Sequence, residues 1–300
     1  MDISRRNLLG GACGAFFGGR AAAQGTFSEP LGVQLYTVRD LLPTRARETL
    51  KAIAEIGYTE VETFSGDAPR FEAYFKEFGL KTPSGHFETP LFTGNWAAWE
   101  VQFPNGRPKG YTLEAAIGIA KKMGMKYMVV PYLMPAERHG RDSFLRFAEQ
   151  MNRAGEQVRS AGLTLCYHNH GFEFSGLGSE RPFDVLMKNF EPELVYWELD
   201  VFWCSLAGYD PAQLISDYPD RIALLHLKDK PKGAKRQTDE RMVKPEIFKE
   251  VGGGDLDFRA ILRAAEVAGV AHYFVEQDEC PGNPLDSLRA SYTHLRKLKV

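Results

Sequence analysis

The chain has 300 residues, 44% of them hydrophobic, and a formal net charge of −2. This length is enough to bury a substantial core as one large domain or two small ones. The balanced charge provides no broad cationic surface for a phosphate backbone, so nucleic acid is not an expected partner. The sequence also has no uninterrupted apolar run of about 18 residues that could cross a bilayer.

The first 25 residues have the composition of an export signal. Arg5 and Arg6 precede the weakly apolar segment LLGGACGAFFGG, and the small residues Ala21–Ala23 follow it. This order of a charged region, a soft apolar region and a small-residue cleavage site is typical of a bacterial twin-arginine signal. We therefore predict a signal peptide over residues 1–25, a mature protein over residues 26–300 and a periplasmic location. The alternative is a disordered basic N-terminus in a cytoplasmic protein.

From residue 31 onward, short apolar segments alternate with longer amphipathic ones. The short segments predict eight β-strands, at residues 31–36, 59–63, 81–87, 126–132, 163–168, 194–200, 222–228 and 271–277. The segments between them have helical spacing, and several end at a glycine just before the next strand, which favours a helix C-terminus there. Eight strands that each precede a helix predict a single (β/α)8 TIM barrel of the α/β class.

Two longer segments interrupt this alternation. Residues 88–110 are rich in Trp, Gly and Pro, and residues 230–255 run through KGAKRQTDERMVK to VGGGD. They follow the third and seventh predicted strands, so both lie on the C-terminal face of the barrel, where active sites of this fold are built. Long loops on that face usually form lids or the walls of a substrate site.

Polar side chains follow or end four consecutive strands of the predicted barrel. Glu173 follows the fifth strand, Asp200 ends the sixth, and His226 and Glu276 lie near the ends of the seventh and eighth. Matching positions in consecutive βα units lie on the same rim, so we expect these side chains to converge. Carboxylates and neutral imidazoles bind divalent ions such as Mn, Mg, Co or Zn. The pattern therefore predicts one divalent metal ion held by these four residues, although each of them alone would more often be a helix cap or a core group.

Three further side chains are candidates for ligand or proton-transfer roles. His168 and His170 have the same strand parity, so both face the barrel mouth, and either imidazole could bind the metal or act as a general base. The alternative is that they hold the ligands in place. Lys228 in the seventh strand could polarise a carbonyl or move a proton, or it could neutralise Asp229 or Glu198. We interpret Glu198 as the buried partner of a cation.

Residues near the ends of the first, third and sixth strands are candidates for substrate contacts. They are Gln34, Tyr36, His86 and Trp203. A tryptophan ring could supply the apolar face for a sugar ring, as could Trp96 and Trp99 in the first long loop. Anchoring of the loops is an equally good explanation of the tryptophans.

Several motifs resemble those of the xylose isomerase-like barrel superfamily of sugar phosphate isomerases and epimerases. They are VQLYTVRD, YHNHGFEF, ELDVFW, LLHLKD, GGGDLDF and FVEQD, and they extend over roughly residues 30–298. The resemblance implies a Glu, Asp, His, Glu set that binds one divalent metal, and Asp200, His226 and Glu276 match its last three members. The first member differs, because the family's Glu ends the fifth strand, where this chain has His168. Either this imidazole is the ligand or the chain bends so that Glu173 reaches the ion.

The resemblance also implies the chemistry. The superfamily removes a proton next to a carbonyl, and whichever of His168 and Glu173 does not bind the metal is the first candidate for the base. We predict a sugar isomerase, epimerase or lyase that acts on an unphosphorylated sugar or keto-sugar. The alternatives are an endonuclease IV-like phosphodiesterase, which needs about three metal ions, and a periplasmic sugar-binding barrel without catalysis. The oligomeric state stays open.

Overall fold

The computed structural model describes residues 25–64 and 68–300, and the predicted signal peptide lies outside them except for its last residue. Eight parallel strands form one closed barrel in chain order, with β1 paired to β8. The strands are β1 Leu31–Gln34, β2 Glu60–Thr63, β3 Lys81–His86, β4 Tyr127–Val130, β5 Thr164–His168, β6 Val195–Asp200, β7 Ile222–Leu227 and β8 His272–Val275. The predicted (β/α)8 barrel is therefore confirmed.

Helices follow the strands and cover the outside of the barrel. They are α1 Leu42–Ile56, α2 Ala68–Phe78, α3 Pro90–Thr93, α4 Leu113–Lys122, α5 Arg141–Ser160, α6 Pro182–Asn189, α7 Val201–Leu206, α8 Pro211–Asp217, α9 Phe258–Ala268 and α10 Pro284–Lys297. In α9 the buried residues Phe258, Ile261, Leu262 and Ala265 recur every three or four positions, which places them on the side that packs against the core. Within residues 25–64 and 68–300, no helix is long and apolar enough to span a membrane.

The boundaries of the elements follow local hydrogen bonds. The first strand ends at Gln34, two residues before the predicted end, because the side chain of Gln34 accepts a hydrogen bond from the N–H of Tyr36 at 3.2 Å and starts a 3-10 turn. Two of the predicted helix-ending glycines, Gly57 and Gly269, have φ values of 119° and 73°. Backbone in this left-handed region suits glycine and ends α1 and α9.

The barrel interior changes from apolar to polar along its axis. A buried apolar group inside the barrel consists of Val129, Cys166, Leu224 and Phe274. Two residues further along β5, β7 and β8, on the same inward side, lie His168, His226 and Glu276. Buried polar groups destabilise a fold unless they have partners, so a layer of them at the C-terminal end of the barrel indicates a functional site.

The buried carboxylate of Asp229 holds the two ends of the long loop after β7 together. Asp229 accepts hydrogen bonds from the backbone N–H groups of Lys230, Gly252, Gly254, Asp255 and Leu256, at 2.8 to 3.2 Å. A β-carbon at position 254 would lie 2.2 Å from the carbonyl oxygen of Lys230 and 2.4 Å from Oδ1 of Asp229. The glycine-rich stretch therefore forms a nest of N–H groups around this anion.

Candidate metal centre and substrate cavity

Four ligand atoms, one from the C-terminal end of each of β5 to β8, converge inside the barrel mouth. Nε2 of His168 lies 3.5 Å from Oδ2 of Asp200 and 3.2 Å from Nδ1 of His226. Nδ1 of His226 in turn lies 3.2 Å from Oε2 of Glu276. All four residues are buried, and their ligand atoms lie within 4.8 Å of one another. Bonds of about 2.0–2.1 Å to a tetrahedral ion place the ligand atoms about 3.3 Å apart. The donor set and its spacing therefore fit a divalent ion.

Glu173 does not join this group. It is buried in the short helical turn Phe172–Phe174, where it accepts hydrogen bonds from the hydroxyl of Tyr167 at 2.6 Å and from the N–H of His170 at 2.8 Å. Burial raises the pKa of Glu173 to about 8, although the Tyr167 hydroxyl acts in the opposite direction. The carboxyl braces the turn after β5. Of the two residues that the sequence left open as the first ligand, it is His168 that lies beside Asp200, His226 and Glu276.

The remaining bonds of Asp200 hold its second oxygen toward the other ligands. The N–H of Asp200 donates to Oδ1 of Asn169 at 3.0 Å, and Oδ1 of Asp200 accepts from the N–H of Trp203 at 3.0 Å, which caps α7. Burial would raise the pKa of Asp200, but Lys228 and His168 lower it. The carboxylate is therefore negatively charged, with Oδ2 directed at the ligand group.

A buried hydrogen-bond network lies on the other side of His226. Nε2 of His226 lies 2.7 Å from Oε2 of Glu62, which also accepts from Nε2 of Gln34 at 2.8 Å. Nε2 of His86 lies 2.8 Å from Oε2 of Glu198 and 3.2 Å from Oε2 of Glu62. Burial alone would lower the pKa of His86, but these two carboxylates raise it to about 9. His226 thus directs Nδ1 toward the ligand group and Nε2 toward Glu62.

The atoms of this network also have the types and proximity of metal ligands. Glu62, His86, Glu198 and His226 each bring one ligand atom within 4.8 Å of the others. Distances of 2.7 and 2.8 Å within the network are those of hydrogen bonds, and they are shorter than the spacing of two ligands on one ion. We therefore interpret this network as the support of His226.

Lys228 places a buried positive charge beside the ligand group. Its Nζ lies 2.6 Å from Oε2 of Glu276, 2.5 Å from Oδ2 of Asp278 and 3.1 Å from Oδ2 of Asp200. Burial would lower the pKa of Lys228, but these carboxylates raise it well above its ordinary value. Burial would likewise raise the pKa of Glu276, but Lys228 and His226 hold it well below its ordinary value. The ammonium group therefore keeps Asp200 and Glu276 ionised, whereas burial raises the pKa of Asp278 despite the nearby Lys228.

A cavity of about 790 Å³ opens above the ligand group. Polar residues at its inner end are His86, His168, His170, Glu276 and Asp278, and aromatic residues on its other sides are Tyr36, Phe64, Phe87, Trp99, Phe103, Tyr111 and Tyr132. Burial, followed by the charges of His168 and Lys228, lowers the pKa of His170 well below its ordinary value. The imidazole of His170 is therefore neutral at pH 7.

The predicted substrate contacts divide into two groups. Tyr36 and His86 line the cavity. Gln34 is completely buried and donates to Glu62, while Trp203 is buried behind His170, with 5.4 Å between the ring centroids. Gln34 and Trp203 therefore lie away from the cavity. Gln34 is covered by the polar network around Glu62, and α7 directs the ring of Trp203 toward the core.

Three residues of the site were not singled out in the sequence. Glu62 interacts with His226, and Asp278 accepts a hydrogen bond from Lys228. Asn169 accepts a hydrogen bond from the backbone N–H of Asp200. Strand parity contains a signal for two of them, since Glu62 follows Glu60 by two residues and Asp278 follows Glu276 by two. The bond from Asn169 crosses to the next strand, so local spacing contains no signal for it.

Comparisons with known proteins agree with this architecture. The family model of the xylose isomerase-like TIM barrel matches residues 50–298. Inosose dehydratase of Lacticaseibacillus casei is 29% identical over 222 residues, which cover 69% of this chain and 73% of that protein. The structure of a sugar phosphate isomerase/epimerase from Parabacteroides distasonis superposes with a TM-score of 0.70 at 24% identity, covering 92% of this chain and 96% of that one. For a 3-keto-D-glucoside 4-epimerase from E. coli the TM-score is 0.61 at 17% identity, with 90% and 100% covered.

Proposed function

We propose a function for this chain as a member of the xylose isomerase-like TIM barrel family, to which it belongs. It is a divalent-metal-dependent enzyme that removes a proton next to the carbonyl of an unphosphorylated sugar or keto-sugar. The observation that carries the proposal is the convergence of four ligand atoms at the inner end of a cavity. Isomerisation or epimerisation is the first candidate. Dehydration is the second, because the inosose dehydratase of Lacticaseibacillus casei is 29% identical to this chain.

We assign His168, Asp200, His226 and Glu276 to one divalent ion. Two imidazoles and two carboxylates are a donor set that suits Zn, Mn or Co, and Mg less well. When bound, the ion polarises the substrate carbonyl and stabilises the negative charge that develops as the proton leaves. The positive charge of Lys228 offsets the negative charge of Asp278. It also holds the carboxylate of Glu276 in position to bind the ion.

Glu173 is the candidate that remains once His168 is assigned to the metal, but it is not among the described residues that line the cavity, so we assign the proton transfer to His170. Its ring lines the cavity, and its centroid lies 4.9 Å from that of His168, so it is close to any substrate that reaches the ligand group. Glu173 accepts a hydrogen bond from the backbone N–H of His170 and thereby fixes the turn that carries this imidazole. This makes Glu173 a positioning residue for the base. Export by the twin-arginine route, which Arg5 and Arg6 support, is part of the same proposal and would favour an unphosphorylated substrate.

Hydrogen exchange tests the proposed reaction. We expect the metal-loaded protein to incorporate deuterium from deuterated water into one or more ketoses or 3-keto-glycosides, detected by NMR and mass spectrometry. Exchange without elimination indicates an isomerase or epimerase, and an enone-type product indicates a dehydratase. Absence of exchange with every compound would contradict the proposal. Three bound ions per chain would favour the endonuclease IV-like alternative.

Glu62→Gln is expected to weaken metal binding by about 10- to 100-fold, which is the usual effect of removing a carboxylate that orients a histidine ligand. The amide removes the negative charge 2.7 Å from Nε2 of His226. Glu60→Gln is the matched control, because Glu60 is on the same strand and pairs with His272 at 2.8 Å, away from the ligand group. Chelator competition measures both affinities, and equal affinities would contradict the orienting role of Glu62.

A further inference from the structure

The cavity extends beyond the ligand group along four aromatic residues, Phe64, Trp99, Phe103 and Tyr111, which we call the aromatic wall. We propose that the substrate is a two-ring glycoside whose second ring, a pyranose or an aryl group, rests its apolar face on the aromatic wall while the reacting sugar lies at the ligand group. The inference rests on the proposed function, because it names the substrate class of the same site.

The size of the cavity exceeds the need of a single sugar. A volume of about 790 Å³ lies in the upper part of the range of about 300–1,000 Å³ that pockets for drug-sized ligands occupy. A hexose has about a dozen non-hydrogen atoms, roughly half as many as a drug-sized ligand. A monosaccharide at the ligand group would therefore leave the side toward the aromatic wall filled with water.

The chemistry of the lining also divides the cavity in two. The imidazoles and the carboxylates of Glu276 and Asp278 are at the ligand group. The aromatic wall comes from the loops after β2 and β3, and the one carboxylate beside it, that of Glu88, accepts a hydrogen bond from Tyr111. Aromatic faces bind the apolar face of a sugar ring or another aromatic ring. None of the described residues that line the cavity is Lys or Arg, whereas Glu88, Glu276 and Asp278 are acidic, so the second ring should carry no negative charge.

The aromatic wall is held in place by bonds that need no ligand. Nε1 of Trp99 donates to Oε2 of Glu137 at 3.2 Å, and the hydroxyl of Tyr111 donates to the carboxylate of Glu88. The ring of Trp96 packs against that of Phe103, with 5.2 Å between the centroids. A surface ordered before binding loses little entropy when a ring rests on it, which favours a binding role over mere closure of the loop.

The test compares binding of three uncharged probes by calorimetry. They are the 3-keto forms of methyl glucoside, phenyl glucoside and cellobiose, each titrated into the metal-loaded protein. We expect the phenyl glucoside or the disaccharide to bind about tenfold more tightly than the methyl glucoside, since stacking on an aromatic face contributes enough for such a factor. A preference for phenyl identifies an aryl group as the second ring, and a preference for cellobiose identifies a sugar.

The variant Phe64→Leu/Phe103→Leu retains apolar volume and loses two flat rings. We expect it to reduce the tenfold preference to less than about threefold, because binding of the two-ring probes weakens more than binding of the methyl glucoside. Val101→Ala is the control, because Val101 is in the same loop as Phe103 and its side chain is 87% exposed. Equal binding of all three probes by the unaltered protein, or an equal loss for all three in the double variant, would overturn the inference.

Binding and turnover separate this inference from the proposed function. Calorimetry detects the preference for a second ring whether or not the bound sugar reacts. Preferential binding of a two-ring probe with no deuterium exchange would refute the proposed reaction and leave the binding inference standing. Deuterium exchange in a ketose, with no preference for a second ring in binding, would refute the binding inference and leave the proposed reaction standing.

Discussion

Asp200→Asn is expected to abolish stoichiometric metal binding and to lower turnover at least a hundredfold, because several kcal/mol of transition-state stabilisation depend on a bound ion. The amide retains the oxygen that caps α7 through the N–H of Trp203. It loses the negative charge on the atom that lies 3.5 Å from Nε2 of His168 and 3.1 Å from Nζ of Lys228. Elemental analysis of the dialysed protein measures the metal, and circular dichroism checks that the barrel remains folded.

A pair of variants in the same experiment distinguishes the two candidates for the first ligand. His168→Ala should release the ion as Asp200→Asn does, since His168 stands in the ligand group. Glu173→Gln should retain it, because the pKa of about 8 keeps most of this carboxyl protonated at pH 7, and an amide closely resembles a protonated carboxyl. Retention of the metal by His168→Ala together with its loss from Glu173→Gln would assign the ion to Glu173 instead.

Asp229→Ala is expected to lower the free energy of unfolding by about 2–4 kcal/mol, because five backbone N–H donors, one of them buried and four partly buried, lose a charged acceptor at once. The carboxylate accepts from the backbone of Lys230, Gly252, Gly254, Asp255 and Leu256 and thereby holds both ends of the loop after β7. Urea unfolding measures the change. Asp255→Ala is the control, because its side chain is 38% exposed and pairs with Nζ of Lys230 at 3.5 Å, and such surface pairs contribute about 0–1 kcal/mol.

Gly254→Ala should destabilise the same loop through a different cause. The added methyl group would lie 2.2 Å from the carbonyl oxygen of Lys230 and 2.4 Å from Oδ1 of Asp229, so the loop must move away from the carboxylate.

The comparison of Asp229→Ala with Asp255→Ala can contradict the role of the carboxylate. If both variants unfold at the same urea concentration, Asp229 does not hold the loop.

The barrel could be predicted from the sequence because its signals are local. Each strand is a short buried segment, each helix has an apolar stripe, and glycines such as Gly57 and Gly269 end helices where backbone with positive φ is needed. Regular βα spacing then places Asp200, His226 and Glu276 on one rim, since parallel strands of a closed barrel end on the same face. These features follow from periodicity alone, and the structure brings the three ligand atoms together as the spacing predicts.

Contacts between distant parts of the chain could not be predicted in this way. Glu62 and His226 are 164 residues apart in the chain and 2.7 Å apart in the barrel, and the partners of Lys228 are Asp278, Glu276 and Asp200 instead of Asp229 or Glu198. Such pairings depend on the strand register and on how the closed barrel directs each side chain inward, which the order of the residues along one strand does not specify.

The sequence by itself determined the class of fold, the rim on which the site lies and three of its four candidate ligands, because strand parity and βα spacing act over a few residues. Only the tertiary structure shows that His168, and not Glu173, lies within 4.8 Å of the other three candidate ligand atoms. His168 ends β5 and lies in the ligand group. Glu173 lies in a helical turn after β5, where the hydroxyl of Tyr167 donates to one oxygen of its carboxyl and the N–H of His170 donates to the other, which fixes the direction of the side chain. That direction depends on the packing of the turn, which local spacing does not encode.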